Sequence, residues 1–107
     1  MRAFDHVGIP TNCPVEGMIR VDHLRIACTD HKSNPSGLQW MMYDADCPVP
    51  PLVRHVAHVA FEVDDLTQAL AGKRVIIPPN SPSPGVLVAF IEEAGAPIEL
   101  LQFLDHA

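Results

Sequence analysis

The sequence predicts an α+β protein built from two similar β-rich halves, the second reading β-α-β-β-β and the first a trimmed copy whose helix is reduced to a loop. Three observations lead there. Short apolar segments of strand length recur along the chain. Proline clusters separate them, Pro10 and Pro14, then Pro48, Pro50 and Pro51, then Pro78, Pro79, Pro82 and Pro84, and proline neither donates to a ladder nor continues a helix. Finally, two strand motifs occur twice in the same order.

Phe4 to Ile9 reads as the first strand, ended by Pro10. Residues 11–17 (TNCPVEG) are too short and too broken for a helix. A second strand is expected over 18–29, with Val21, Leu24, Ile26 and Cys28 as its apolar positions, followed by the turn-rich DHKSNPSG. Leu38 to Tyr43 (LQWMMY) is the third strand, with Met41 expected in its core. The acid- and proline-rich stretch DADCPVPPLVR over 44–54 reads as a linker without regular structure.

His55 to Val63 (HVAHVAFEV) opens the second half as a strand. Asp64 suits a helix N-cap and Asp65 the positive end of the dipole, so this acidic pair reads as capping, and LTQALA continues to a stop at Gly72. Val75 to Ile77 is a brief strand and PPNSPSPG a loop able to serve as a lid. Val86 to Ile91 and Pro97 to Phe103 complete the half. The expected organisation is one domain over 1–107, with a first module at 1–45, a linker at 46–54 and a second module at 55–104.

At 107 residues the chain can bury a core without staples. Thirteen acidic against seven basic side chains, a formal net charge of −6, disfavour nucleic acid as a partner. The longest apolar runs fall well short of a membrane span and the first residues lack an apolar signal core, so no membrane association and a cytoplasmic location are expected. Cys13, Cys28 and Cys47 are odd in number and widely spaced, which fits reduced thiols, Cys28 in the core and the others in loops.

In the repeat, Asp5-His6-Val7-Gly8-Ile9 matches Ala57-His58-Val59-Ala60-Phe61, and Gly37 to Tyr43 matches Pro97 to Phe103. The second pair is further apart than the first, and the helix present only in the second half absorbs the difference. With these residues the chain resembles the vicinal oxygen chelate superfamily, which includes glyoxalases, bleomycin-resistance proteins and ring-cleaving dioxygenases. HVAFEVDDL (58–66) is similar to the usual opening of a module and GAPIELLQF (95–103) to its closing strand. The likeness is close over 55–104 and looser over 4–43.

The resemblance implies two modules curled into a cupped mixed sheet around one metal site. Its four ligand positions fall on His6, Gln39, His58 and Glu99. Two imidazoles, an amide oxygen and one carboxylate would hold a divalent ion such as Zn, Ni, Co, Mn or Fe with open positions for substrate or water. Side chains alternate along a strand, so if Glu99 points inward, Pro97, Leu101 and Phe103 share its face, and Ile98, Leu100 and Gln102 face a helix or a partner. His58 would share its face with Val56 and Ala60. His23, His31, His55 and His106 are expected to be structural, His31 in a loop and His106 in the tail.

Glu99 is the most telling residue, because a carboxylate among apolar neighbours is costly without a cation or a proton. The implied activity is that of a metal-dependent lyase or isomerase acting on a small vicinal-oxygen substrate, by proton transfer through an enediolate with Glu99 as the catalytic shuttle. Methylmalonyl-CoA epimerases are similar in their His, Gln, His, Glu order, but where they carry a catalytic glutamate on the second strand this chain has Arg20, with Asp22 the nearest acid. Two other readings belong to the same resemblance. One is a metal-free small-molecule binding protein of the bleomycin-resistance type; the other is a ferrous ring-cleaving dioxygenase needing only two histidines and a carboxylate. A homodimer is the expected assembly.

Overall fold

The computed structural model describes residues 2–104; His106 lies outside them. Eight strands run in the order β1 (Ala3–Pro10), β2 (Ile19–Val21), β3 (Ile26–Cys28), β4 (Leu38–Tyr43), β5 (His58–Glu62), β6 (Arg74–Asn80), β7 (Val86–Glu93) and β8 (Ala96–Phe103). Two short helices, α1 (Pro51–His55) and α2 (Leu66–Leu70), lie between β4 and β5 and between β5 and β6. All strands join one mixed sheet, ordered β2-β3-β4-β1-β5-β8-β7-β6, which curls into a cup.

The sheet has an internal twofold relation. β1 pairs with β4 in parallel and β5 with β8 in parallel, while β1 and β5 meet antiparallel at the centre. Gly8 stands opposite Gln39 in the first half as Ala60 stands opposite Glu99 in the second. Across the centre, His6 faces Ala60 and Gly8 faces His58, the same pair with its members exchanged. The α+β class and the cupped mixed sheet are thus as expected, and the cup is formed by one chain.

Alternation sorts the side chains of β7 and β8 onto two faces. Ala89, Ile91 and Leu100 are completely buried on the outer face against Leu66 of α2 and Val63, with Leu87 and Ile98 at the margin. Burying a leucine such as Leu66 or Leu100 contributes about 1.5–3 kcal/mol. Gln102, on the same face, accepts a hydrogen bond from the Leu66 backbone N–H at 2.9 Å and so ties β8 to the start of the helix. The surface that Ile98 and Leu100 offer to a helix or a partner is therefore taken by α2. Val86, Val88 and Leu101 point the other way and, with Ala60, form the inner wall of the cup.

Several local expectations need correction. The stretch expected as one strand over 18–29 is a hairpin: β2 and β3 flank a 3-10 turn at Asp22–Leu24, closed by Arg25 at φ 60°. The 46–54 linker is not wholly irregular, because Pro51 sits in the first turn of α1, where its missing N–H costs nothing. The strand expected over 55–63 is shortened to His58–Glu62 because α1 takes His55. Asp65, not Asp64, caps α2, its side chain accepting from the Gln68 N–H at 3.1 Å. That helix stops at Leu70, two residues before Gly72, which takes φ 73°.

β6 continues through Pro78 and Pro79, which an edge strand tolerates because one side needs no ladder donors. The following loop is tied down. Asn80 donates to the Pro78 and Val88 carbonyls, and the single Ser81 hydroxyl proton is shared between those of Ser83 and Val86. Cys13, Cys28 and Cys47 are free thiols, Cys13 exposed, Cys28 half-buried and Cys47 buried. No helix among the described residues is long and apolar enough to cross a membrane.

Candidate metal centre

The cup encloses a cavity of about 540 Å³, within the range of small-molecule sites. Its walls are mostly apolar, with Ile26, Met41, Val88 and Leu101 among them, and His6, His58, Glu99 and Gln39 line it from the central strands of the sheet. Of the strand LQWMMY, Gln39, Met41 and Tyr43 line the cavity by simple alternation. Met41 is therefore a wall residue where core packing was expected. Tyr43 is half-buried, and desolvation, followed by the charge of Glu99, pushes its phenol well above the ordinary tyrosine range, so it stays protonated.

His6, His58 and Glu99 meet at this centre from β1, β5 and β8, and all three are nearly closed to solvent. The Glu99 Oε1 atom lies 3.0 Å from His58 Nε2 and 3.4 Å from His6 Nε2. Burial alone would raise the Glu99 pKa, but hydrogen bonds from His58 and His6 outweigh it and hold the carboxyl down to about 2. Burial likewise opposes charge on His6, and the adjacent Glu99 and Asp5 carboxylates overcome it and raise its pKa.

The sheet makes room for this arrangement with two small residues. A Cβ on Gly8 would fall inside the His58 imidazole, so the ring can lie across β1 only because position 8 has no side chain. The equivalent neighbour of His6 is Ala60, which is completely buried. Phe90 closes the far side of His58, edge to face at 4.8 Å between ring centres.

Each residue expected at the site lines this one cavity. One ligand atom each from His6, His58 and Glu99 lie within 4.8 Å of one another, close enough to share an ion. The donor set fits a divalent cation: two imidazoles and an ionised carboxylate, buried together. Gln39 is arranged differently. Its Nε2 donates to the Thr29 carbonyl at 3.0 Å, so Oε1 is the amide atom left for a ligand.

Three further residues belong to the site. Asp5 contacts His6 Nδ1 at 2.7 Å, and His31 stacks on the His6 ring with 4.5 Å between centres, so His31 is more than a loop residue. Burial, then the neighbouring His6, lowers the His31 pKa. His23 also borders the cavity. Among these, Asp5 carried one signal in the sequence, its place beside a repeated histidine. Arg20 does not supply a base: its exposed guanidinium is engaged by Asp44, at 2.7 and 2.8 Å, and by Asp22, at 3.0 Å.

Fold and site together define an α+β protein with a duplicated, cupped eight-stranded sheet and a buried His, His, Glu cluster able to hold a metal ion. No protein-family model matches the chain, and no curated protein does. Among solved structures, a hypothetical protein from Bacillus halodurans C-125 is similar in fold, with a TM-score of 0.65 at 16% identity over 99% of this chain and 97% of that one.

Proposed function

We propose that the chain is a vicinal oxygen chelate protein acting as a metal-dependent lyase or isomerase on a small substrate with two neighbouring oxygens. One observation carries the reading: equivalent strands of two repeated halves bring His6, His58 and an ionised Glu99 together, buried, on the floor of a mostly apolar cavity. His6, His58 and Glu99 would hold the ion, with the Gln39 Oε1 as the fourth donor. A divalent ion there supplies Lewis acidity to the substrate oxygens, which acidifies the neighbouring C–H.

The remaining work falls to the chain itself. Apolar walls exclude water and press the substrate toward the polar floor. Glu99 is the proton acceptor; its pKa is depressed while His58 and His6 donate to it, and it becomes a stronger base when those hydrogen bonds are withdrawn. Tyr43, kept neutral, is a hydrogen-bond donor in the same wall. An epimerase needs a second base on the opposite face, and Arg20, turned to Asp44, does not provide one.

The test is turnover of thiohemiacetal and α-hydroxy thioester substrates. Activity should disappear in chelator, return with added divalent metal and be lost in Glu99→Gln. Full activity in that variant rejects the mechanism. A metal-free small-molecule carrier is the second reading, favoured by the apolar walls and by the hydrogen bonds with which Glu99 and His58 already satisfy one another. It requires stoichiometric ligand binding in chelator without turnover.

A further inference from the structure

We infer that Asp5 is a positioning residue for His6, fixing which ring nitrogen faces the metal centre, with His31 stacked behind the ring to hold its plane. The inference rests on the metal reading for its purpose and on local geometry for its substance. In a regular strand Asp5 and His6 would face opposite sides of the sheet. They do not, because the pairing of β1 with β5 shifts register between Phe4 and His6, leaving Asp5 as the extra residue of a bulge. Bulges re-aim side chains in this way, and both residues line the cavity.

Asp5 Oδ2 lies 2.7 Å from His6 Nδ1 and 3.5 Å from His31 Nε2. An ionised carboxylate only accepts, so His6 carries its proton on Nδ1. In the metal-free protein Nε2, 3.4 Å from Glu99, carries the second ring proton toward that carboxylate, and an ion would take the place of this proton while Nδ1 keeps its own. The second half has no such device. Ala57 stands where Asp5 would be, and His58 Nδ1 is buried with no hydrogen-bond partner among the described residues. Of the two equivalent histidines, His6 alone is preset for a cation.

A second ion held by Asp5, His6 and His31 is the competing explanation, since their donor atoms also lie within 4.8 Å of one another. Ring geometry argues against it. The lone pair of an imidazole lies in the ring plane, and the His6 and His31 rings are stacked only 22° from parallel. One ion cannot lie in both planes. A carboxylate behind a ligating imidazole instead fixes its tautomer and raises its basicity, and losing such a partner weakens metal binding about 10–100-fold.

Two measurements test the inference. In metal-free protein, nitrogen-15 NMR of the histidine rings should show His6 protonated at Nδ1. That state should persist in Asp5→Asn, which keeps an acceptor, and be lost in Asp5→Leu. Titration with cobalt(II) alone should show affinity falling about 10–100-fold in Asp5→Leu, less in Asp5→Asn, with an intermediate loss in His31→Ala. Unchanged ring protonation in Asp5→Leu overturns the positioning role, as does a cobalt affinity of Asp5→Leu equal to that of a cobalt-binding wild type. Two cobalt ions per chain, the second lost in Asp5→Leu, would also overturn it. If the wild type takes up no cobalt, the metal reading fails and the ring NMR alone decides the role of Asp5.

Discussion

In the second half of the sheet Leu100 and Ile91 are completely buried beneath α2, so β8 and β7 have a packed core on the outer face and the cavity on the inner one. In the first half no α-helix among the described residues occupies the equivalent place, and every residue of β4 is only half-buried. The polar refinements are distributed the other way. Asp5, His31 and the Gln39 amide, held by Thr29, belong to the first half, while the second contributes a carboxylate and an imidazole whose Nδ1 has no partner among the described residues. One duplicated plan thus supports two tasks, with apolar packing concentrated in the half whose strands α2 covers and orientation of the site in the other.

The largest effect should come from exchanging the paired ligands. Glu99→Gln makes the second half like the first and removes the carboxylate, and turnover should fall about 10²–10⁴-fold, measured under saturating metal. Gln39→Glu makes the reverse change and should preserve metal binding in a competition titration. Equal damage from the two would erase the distinction drawn between the halves.

Packing gives the next largest contrast. Leu100→Ala leaves a cavity under α2 and should cost about 2–5 kcal/mol in urea unfolding, whereas Leu38→Ala on half-buried β4 should cost less than half as much. A smaller contrast concerns the two residues that make room for the rings. Gly8→Ala must displace His58 and should cost about 1–3 kcal/mol together with metal affinity, while Ala60→Gly should cost about 0.5–1 kcal/mol and leave the metal in place.

The finest contrast is electrostatic and belongs to the metal-free protein. Glu99 titrates at about 2 when folded against an ordinary 4.5, so its contribution is present above 4.5 and is lost as pH falls toward 2. The His6 pKa is raised from 6.5, so its contribution is full below 6.5 and is lost as pH rises through the folded value. Urea unfolding across pH should therefore show stability declining on both sides of the window between these values. Glu99→Gln should flatten the acid side.

Much of this architecture was legible because it depends on period two and on repetition. LQWMMY and PIELLQF carry their inward and outward faces in the alternation itself, and the doubled histidine strands give the centre of the sheet. What escaped depended on backbone events without a residue signature. Arg25 turns the β2–β3 hairpin at positive φ with no glycine to mark it, and the bulge that brings Asp5 inward leaves no trace in hydropathy. Pro51 and Pro78–Pro79 read as breakers, yet one sits in a first helical turn and the others on an edge strand. His31 gained its role only when the sheet order set β4 beside β1 and brought its loop over His6.

The central claim is that side chains from both halves converge on one divalent ion. Elemental analysis of protein purified without a metal-affinity tag, repeated on His58→Ala, tests it most directly. One equivalent of a transition metal, absent from the variant, is the expected result. Wild-type protein that neither carries a metal nor takes one up from zinc, nickel, cobalt, manganese or ferrous iron would contradict it.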